Sequence, residues 1–176
     1  KIVTIQKSKL VDDENVIKSF VLEGDKKIWY IFLPSFYTDW EDKSKLGCAN
    51  DLAKKLIILE KENIEGLILD IRNNGGGSVK EAIDLAGIFI DIGPVTISKD
   101  RYEIETLKDA NHGTIYNGPL VIMVNGMSAS ASEILSAALQ DYNRALIVGS
   151  TTYGKSTGQN ILPVTDGEFN MDAYGK

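Results

Sequence analysis

The hydrophobic pattern of this chain alternates between short, continuously apolar runs and amphipathic stretches. Continuous apolar runs are GLILDI at 66–71, PLVIMVN at 119–125 and ALIVG at 145–149. Short runs that are apolar at almost every position are typical of strands buried on both faces of a sheet. IWYIFLP at 28–34 is also β-rich and ends near a proline, and IVTIQ at 2–6 alternates like an edge strand. The pattern therefore predicts at least four strands and an edge strand.

The amphipathic stretches lie between these runs and predict three helices. Residues 43–62 carry apolar side chains at every third or fourth position, which is the period of a helix with one buried face. A second helix is predicted to start at Ser78, three residues before Glu81 as in a capping box, and to reach residue 90. The third has its apolar face over 134–142.

This alternation of strands and helices predicts an α/β fold with a largely parallel central sheet. The segment 96–118, rich in charged and turn residues, is predicted to be a hairpin or surface excursion outside the alternation. The chain has 176 residues, which is enough for one hydrophobic core, so residues 1–176 are predicted to form a single domain.

Composition excludes several classes of function. The net charge of −6 argues against nucleic acid as the main partner, because that binding depends on clustered Lys and Arg. No apolar run approaches the roughly 20 residues of a membrane helix. The single Cys48 cannot form an internal disulfide, and His112 is the only histidine, so we predict no metal site and no other cofactor. Cys48 is expected to be buried filler in the first helix.

Two strand-to-helix junctions carry residues that could do chemistry. After the strand at 119–125, serines stand at every second position, and the middle one, Ser130, is three residues before Glu133. Ser130 is therefore either only a helix cap or a nucleophile exposed at the junction, and the residues alone leave both open. As a nucleophile it would have the amide of Ala131 as an oxyanion donor, and the glycines at 75–77 could provide a second donor or form only a tight turn.

A serine nucleophile needs a group that accepts its proton. His112 lies in the polar segment DANHGTIYNG, so we expect it to be an exposed loop residue rather than the base of a triad. Lys155 follows the strand at 145–149 in a glycine-bracketed turn. An ordinary lysine, with a pKa of about 10.4, is protonated at neutral pH, so a lysine base has to be desolvated by the fold. Lowering a pKa by roughly three units costs about 4 kcal/mol.

The same turn has a second interpretation as a phosphate-binding loop. GSTTYGKS at 149–156 fits the pattern G-x-x-x-x-G-K-[ST], and LILD at 67–70 resembles an acidic strand that holds magnesium. That loop requires a helix directly after the lysine, because helix N-terminal amides bind the phosphates. Gly158, Asn160 and Pro163 follow instead, so nucleotide binding is disfavoured.

Three blocks, LILDIRNNGGG, GPLVIMVNGMSASASEILSAALQDYNRALIVG and TTYGKSTGQ, resemble in order and spacing the carboxyl-terminal processing, or tail-specific, proteases. The resemblance covers residues 28–163. It implies a ClpP/crotonase-like core of repeated β-β-α units and a serine endopeptidase with a Ser-Lys dyad. The implied substrates are polypeptides cleaved near an unfolded carboxyl terminus, for processing or degradation.

Carried over by position, the resemblance implies that Ser130 is the nucleophile, Lys155 the base, and Gln159 a residue that helps to hold the lysine. It implies an oxyanion hole formed by the amides of Gly77 and Ala131. The two flanking serines are then expected to satisfy neighbouring backbone groups or to pack; these are Ser128 and Ser132.

The resemblance also sets expectations about the rest of the protein. Family members usually carry a PDZ domain that recognises the substrate's carboxyl terminus, and no segment of that length is present, so residues 1–27 are expected to be lead-in strands from a removed PDZ domain. Strands after Gln159 are expected to be truncated, which leaves the activity of this piece open. The implied location is the bacterial periplasm or cell envelope. A non-catalytic peptide-binding scaffold stays as the alternative, and Glu133 and Asp141 receive no role.

Overall fold

The computed structural model describes residues 16–40, 46–59, 62–109 and 113–159. The predicted edge strand at 2–6 and His112 lie outside these ranges. The strands in the described part of the chain are β1 (Lys18–Glu23), β2 (Lys27–Phe32), β3 (Gly66–Asp70), β4 (Gly93–Lys99), β5 (Ile104–Asp109), β6 (Leu120–Val124) and β7 (Leu146–Gly149). The helices are α1 (Cys48–Leu59), α2 (Val79–Gly87) and α3 (Ala131–Asp141).

The central sheet has five strands in the order β1-β2-β3-β6-β7. Strands β2, β3, β6 and β7 are parallel to one another, and β1 pairs antiparallel with β2. Strands β4 and β5 form a separate antiparallel hairpin. The predictions of an α/β fold with a largely parallel sheet, and of a hairpin in the charged segment, are confirmed; the hairpin begins at Gly93, slightly earlier than predicted.

The core lies between the sheet and the helices and consists mainly of apolar residues of these elements, whereas Leu46 and Tyr142, which the periodicity placed on buried faces, are 68% and 41% exposed. Each fully buried leucine contributes roughly 1.5–3 kcal/mol relative to an exposed one. The helices bury one stripe each, namely Cys48, Leu52 and Leu56 on α1, Ala82, Leu85 and Ala86 on α2, and Leu135, Ala138 and Leu139 on α3. The sheet contributes Trp29, Ile31, Leu67, Leu69, Leu120 and Ile122.

Two helix boundaries differ from the predictions. Helix α1 begins at Cys48 rather than 43, because the Cys48 amide donates to the Tyr37 carbonyl and a side chain at Gly47 would overlap Glu81. Helix α2 ends at Gly87 rather than 90, where the Ile88 amide turns back to the Leu85 carbonyl at 3.2 Å in a tighter last turn.

The burial of β7 was also predicted wrongly. This strand is apolar, but among the described strands it forms an edge of the sheet, with Leu146 64% exposed and Val148 43% exposed. An apolar run indicates a strand, but its place in the sheet depends on which strands pair with it, and the run itself does not encode that.

Cys48 is fully buried at the start of α1 and forms no disulfide, so the prediction of buried filler is confirmed. Burial, reinforced by the Glu81 carboxylate, raises the pKa of its thiol above the usual value. A thiol that is both inaccessible and protonated is unreactive. Among the described residues, no helix is long and apolar enough to cross a bilayer.

Candidate active site

The candidate site lies at the edge of the sheet where the neighbouring parallel strands β3 and β6 end. Asp70, the last residue of β3, is in register with Met123 near the end of β6. Ligand sites of open α/β sheets form beyond the carboxyl ends of such strands. The glycine loop, defined as residues 72–78, leaves β3 here. The loop that leaves β6 carries the predicted nucleophile Ser130, and residues 125–130 are called the nucleophile loop for that reason.

The two flanking serines bond the nucleophile loop to the glycine loop and its root. The Ser128 hydroxyl donates to the Ile71 carbonyl at 2.8 Å, and the Ser132 hydroxyl donates to the Asn74 carbonyl at 2.9 Å. The Ala129 amide donates to the same Asn74 carbonyl at 3.0 Å. Both serines are 0% exposed. The expectation that these two serines satisfy neighbouring backbone groups is therefore confirmed.

Ser130 is the N-cap residue of α3, but its backbone is not that of an ordinary cap. Its φ is 57° and its ψ is −115°, whereas Ser78, the N-cap of α2, has φ −69° and ψ 122°. A helix cap normally has the extended backbone seen at Ser78. A left-handed backbone costs a residue with a side chain about 1–3 kcal/mol and is concentrated at functional sites. Capping alone does not account for this strain.

The carboxylate of Glu133 joins the nucleophile loop to the segment that carries Lys155, called the lysine turn and defined as residues 150–159. One oxygen, Oε2, accepts from the Ser130 amide at 2.8 Å and from the Lys155 amide at 2.8 Å. The other oxygen, Oε1, accepts from the Gly154 amide at 2.6 Å, and the Thr152 hydroxyl also donates to this carboxylate. The backbone nitrogens of Ser130 and Lys155 therefore lie no farther apart than twice the length of one hydrogen bond.

Hydrogen bonding keeps Glu133 ionised. Burial by itself would raise the pKa of this carboxyl, but the bonds from Gly154, Thr152, Lys155 and Ser130 outweigh it and lower the pKa below its usual value. The sequence showed only the Ser130–Glu133 spacing, which is typical of a capping box. The bonds of the Glu133 carboxylate to residues 152–155 depend on the fold and left no signal in the sequence.

Lys155 is half-buried, and two oxygens hold its amine. Nζ donates to the Thr157 carbonyl at 3.0 Å and to Gln159 Oε1 at 3.2 Å. Within the described part of the chain these oxygens, rather than the Ser130 hydroxyl, are its hydrogen-bond partners. The turn is also fixed to the nucleophile loop by the Tyr153 amide, which donates to the Ser128 carbonyl at 3.0 Å.

The phosphate-binding interpretation of this turn fails on two observations. No helix follows Lys155 in the residues described up to Gln159. The amides of Gly154 and Lys155, which would have to face a phosphate, already donate to Glu133. Across the same described ranges, no three His, Cys, Asp or Glu side chains cluster as a metal ion would require.

Gly77 has its amide directed away from its neighbouring strand. It forms an isolated parallel bridge with Phe36, in which the Phe36 amide donates to the Gly76 carbonyl and the Ser78 amide to the Phe36 carbonyl, both at 2.9 Å. In this pattern the residue between the two bonded positions points its own N–H and C=O to the opposite side. Gly77 has φ +140°, and a side chain there would overlap Phe36. The Ala131 amide, at the first position of α3, likewise has no intrahelical acceptor.

Gly76 packs directly against Ser130. Its φ is +106°, and a Cβ atom there would lie 2.8 Å from Ser130 Cβ and 3.2 Å from the Ala131 nitrogen. The glycine loop can therefore approach the start of α3 this closely only without a side chain at position 76.

With Ser130 as the nucleophile that the family resemblance implies, Gly76→Ala should reduce peptide cleavage by about 10²-fold, because it displaces Ser130 from the glycine loop by a sizeable fraction of an ångström. The positive φ should also lower the free energy of unfolding by about 1–3 kcal/mol. Gly75→Ala is the matched control, since a Cβ atom there meets nothing within 4 Å. Peptide cleavage and thermal unfolding of both variants test this, and a fully active Gly76→Ala would contradict the close packing.

An ionic cluster fixes the root of the glycine loop. Asp70 is 2% exposed; it accepts from the Tyr30 hydroxyl and pairs with Arg72 through Nε at 3.0 Å and through Nη2 at 2.7 Å. Burial alone would raise the pKa of Asp70, but its bonds to Arg72 and Tyr30 lower it overall. The carboxylate therefore stays charged and holds the first turn after β3.

Asp141 does not lie near Ser130. It is the last residue of α3, so about 16 Å of helix at 1.5 Å per residue separates it from Ser130. It is exposed and lines a groove against β4.

Comparisons with known proteins identify the family of this chain. The tail-specific protease of Haemophilus influenzae is 40% identical over 161 residues, which are 90% of this chain and 22% of that protein. The carboxyl-terminal-processing protease of a Picosynechococcus species is 34% identical over 145 residues, which are 82% of this chain and 33% of that protein. Among solved structures, the photosystem II D1 C-terminal processing protease matches 86% of this chain and 40% of its own, with a TM-score of 0.70 and 29% identity.

The chain thus spans about a fifth to a third of the length of these curated relatives. The model of peptidase family S41 matches residues 27–170, which is most of the sequence. The chain therefore belongs to peptidase family S41.

Proposed function

We propose that this chain is the catalytic core of a serine endopeptidase in which Ser130 is the nucleophile and Lys155 is the general base. The observation that carries the proposal is the Glu133 carboxylate, which binds the amides of both residues through one oxygen. The strained backbone of Ser130 supports it, because strain at a strand-to-helix junction is retained where function needs it.

In this mechanism Ser130 Oγ attacks the peptide carbonyl carbon while Lys155 Nζ, in its uncharged form, takes the hydroxyl proton. The amides of Gly77 and Ala131 bind the oxyanion of the tetrahedral intermediate. The lysine then gives its proton to the leaving amine, the C–N bond breaks, and an acyl-enzyme remains. Water, deprotonated by the same amine, hydrolyses the ester and restores the Ser130 hydroxyl.

Thr157 and Gln159 place the amine for these transfers. Lysine carries three N–H donors when charged and a lone pair when neutral. The two oxygens that bind Nζ take two donors and restrict the direction of the remaining position. Catalytic hydrogen bonds of free enzymes tighten when substrate binds, so the contact of Nζ with Ser130 belongs to the substrate complex.

The substrate class comes from the relatives. Their names, tail-specific protease and carboxyl-terminal-processing protease, favour polypeptides cleaved near the carboxyl terminus. Recognition of that terminus by a PDZ domain, and a location in the bacterial periplasm or cell envelope, are parts of the same proposal. They concern a protease of the relatives' whole length, and the match covers 22% of the Haemophilus influenzae protein.

A fluorophosphonate probe tests the nucleophile in the full natural protein. We expect one covalent adduct, mapped by mass spectrometry to Ser130, and no adduct in Ser130→Ala. Ser98→Ala, which removes an exposed serine of the β4 hairpin, is the control and should label as the wild type does. A folded wild-type protein that binds peptides but takes no label would instead support the non-catalytic scaffold.

A further inference from the structure

Two asparagines connect the glycine loop and the nucleophile loop through their side-chain amides. The Asn73 backbone amide donates to Asn125 Oδ1 at 3.0 Å, and Asn125 Nδ2 donates in return to Asn73 Oδ1 at 2.9 Å. Asn125 Oδ1 also accepts from the Met127 amide at 3.1 Å. One oxygen atom is therefore shared by backbone amides from both loops, and it lies between the two segments that carry Gly77 and Ala131.

Only an amide side chain at position 125 can make all three bonds. Its oxygen faces two N–H donors, and its nitrogen faces an oxygen, which also fixes the orientation of the amide group. Position 73 has its own requirement, because its φ is +62°, a conformation that Asn adopts more readily than most residues. Both positions therefore favour asparagine for reasons of geometry.

We propose that Asn73 and Asn125 are positioning residues that set the spacing between the glycine loop and the nucleophile loop, and with it the width of the oxyanion hole. This inference rests on the proposed function, in which the amides of Gly77 and Ala131 bind the oxyanion. Neither asparagine touches the reacting atoms. Their effect passes through the backbone, from residue 73 to Gly77 and from residue 127 to Ala131.

The pair controls spacing more than stability. Ser128, Ser132 and Ala129 already hold the same loops together through bonds to Ile71 and Asn74. Loss of the asparagine pair therefore leaves the loops attached at residues 71 and 74 and frees residue 73 from residues 125–127. Oxyanion donors act over a narrow range of distance, so a small separation weakens binding of the intermediate while substrate binding is unaffected.

The test compares single and double variants in the full natural protein. Asn125→Ala removes the bonds to Asn73 and Met127 and a 3.5 Å contact from the Ser128 hydroxyl, and it should lower kcat by about 10- to 100-fold with KM unchanged. Asn73→Gly tolerates the positive φ and removes only the bond to Asn125 Nδ2, so a loss of about 3- to 10-fold is expected. Because the two residues act as a pair, the double variant should be no slower than Asn125→Ala alone.

A conservative variant and a labelling rate separate this inference from the proposed function. Asn73→Asp keeps an acceptor for Asn125 Nδ2 and should restore kcat to within about twofold of wild type. If the fluorophosphonate does not label wild-type Ser130, the proposed function fails. If the fluorophosphonate labels all three proteins at equal rates, namely the wild type, Asn125→Ala and Asn73→Gly, only the positioning inference is overturned. Additive losses in the double variant, or a loss that appears wholly in KM, would also overturn it.

Discussion

Replacing Lys155 with methionine is expected to lower kcat/KM by at least about 10³-fold, because the nucleophile loses the group that takes its proton. The fold should survive, since the bond from position 155 to Glu133 uses the backbone amide, which methionine keeps. Methionine also retains much of the length of the half-buried side chain. Cleavage of a peptide substrate and thermal unfolding, measured on the full natural protein, test the two parts of this expectation.

Lys155→Arg tests whether Lys155 acts as a base or only as a positive charge. Arginine keeps the charge and can still donate to the Thr157 and Gln159 oxygens, but its guanidinium does not give up a proton in proteins. We therefore expect it to be as inactive as the methionine variant. Activity of Lys155→Arg within tenfold of the wild type would show that Lys155 acts as a charge and that another group is the base.

The arrangement of strands and helices was predictable because each element carries its own periodicity. The continuous runs at 66–71 and 119–125 became the neighbouring central strands β3 and β6. The charged segment gave the β4–β5 hairpin. Edge position was not predictable for β7, since Leu146 and Val148 are as apolar as residues of a central strand.

The candidate site was only partly predictable, for a physical reason. Serines at alternate positions and a lysine in a glycine turn are local patterns, so the sequence displays them. The bonds that assemble them join residues distant along the chain, such as Asn73 with Asn125, 52 positions apart, and Glu133 with Gly154, 21 positions apart. The spacing of Glu133 from Ser130 is compatible with a simple capping box or with a wider role. Only its distant hydrogen-bond partners show that it also binds the lysine turn.

The positive φ of Ser130 was likewise not predictable from the sequence. A serine before a helix normally caps it, and Ser78 in this chain does so through its hydroxyl, which accepts from the Glu81 amide at 3.3 Å. At the other helix, the Glu133 amide donates to the Ser130 carbonyl at 2.8 Å and the Glu133 carboxylate accepts from the Ser130 amide. The Glu133 amide therefore already has an acceptor in the Ser130 carbonyl, so the Ser130 hydroxyl is not required for capping.

Glu133→Gln is the second substitution with a large expected effect. In the wild type both carboxylate oxygens accept amide N–H groups, whereas glutamine has one oxygen and an NH2 group that would face a donor. The lysine turn should move away from Ser130, and we expect kcat/KM to fall by about 10²-fold. An unpartnered backbone amide should lower the free energy of unfolding by about 1–2 kcal/mol, the lower part of the usual range because Glu133 is half-exposed. Asp84→Asn, which breaks only an exposed pair with Lys80, is the control.

The stability difference between wild type and Glu133→Gln depends on pH if the ionised carboxylate holds the two loops, and not if Glu133 only packs between them. The folded-state pKa of Glu133 lies below its usual value, so its contribution is fully present above the unfolded pKa of about 4.3. It is lost as the pH falls through the folded-state pKa, where the carboxyl takes up a proton and can no longer accept every amide. The difference in thermal stability between wild type and Glu133→Gln should therefore be constant from pH 8 to about pH 5 and shrink in acid below about pH 4. A stability difference that persists unchanged in acid would mean that Glu133 holds the nucleophile loop and the lysine turn by its shape, and that its charge contributes nothing.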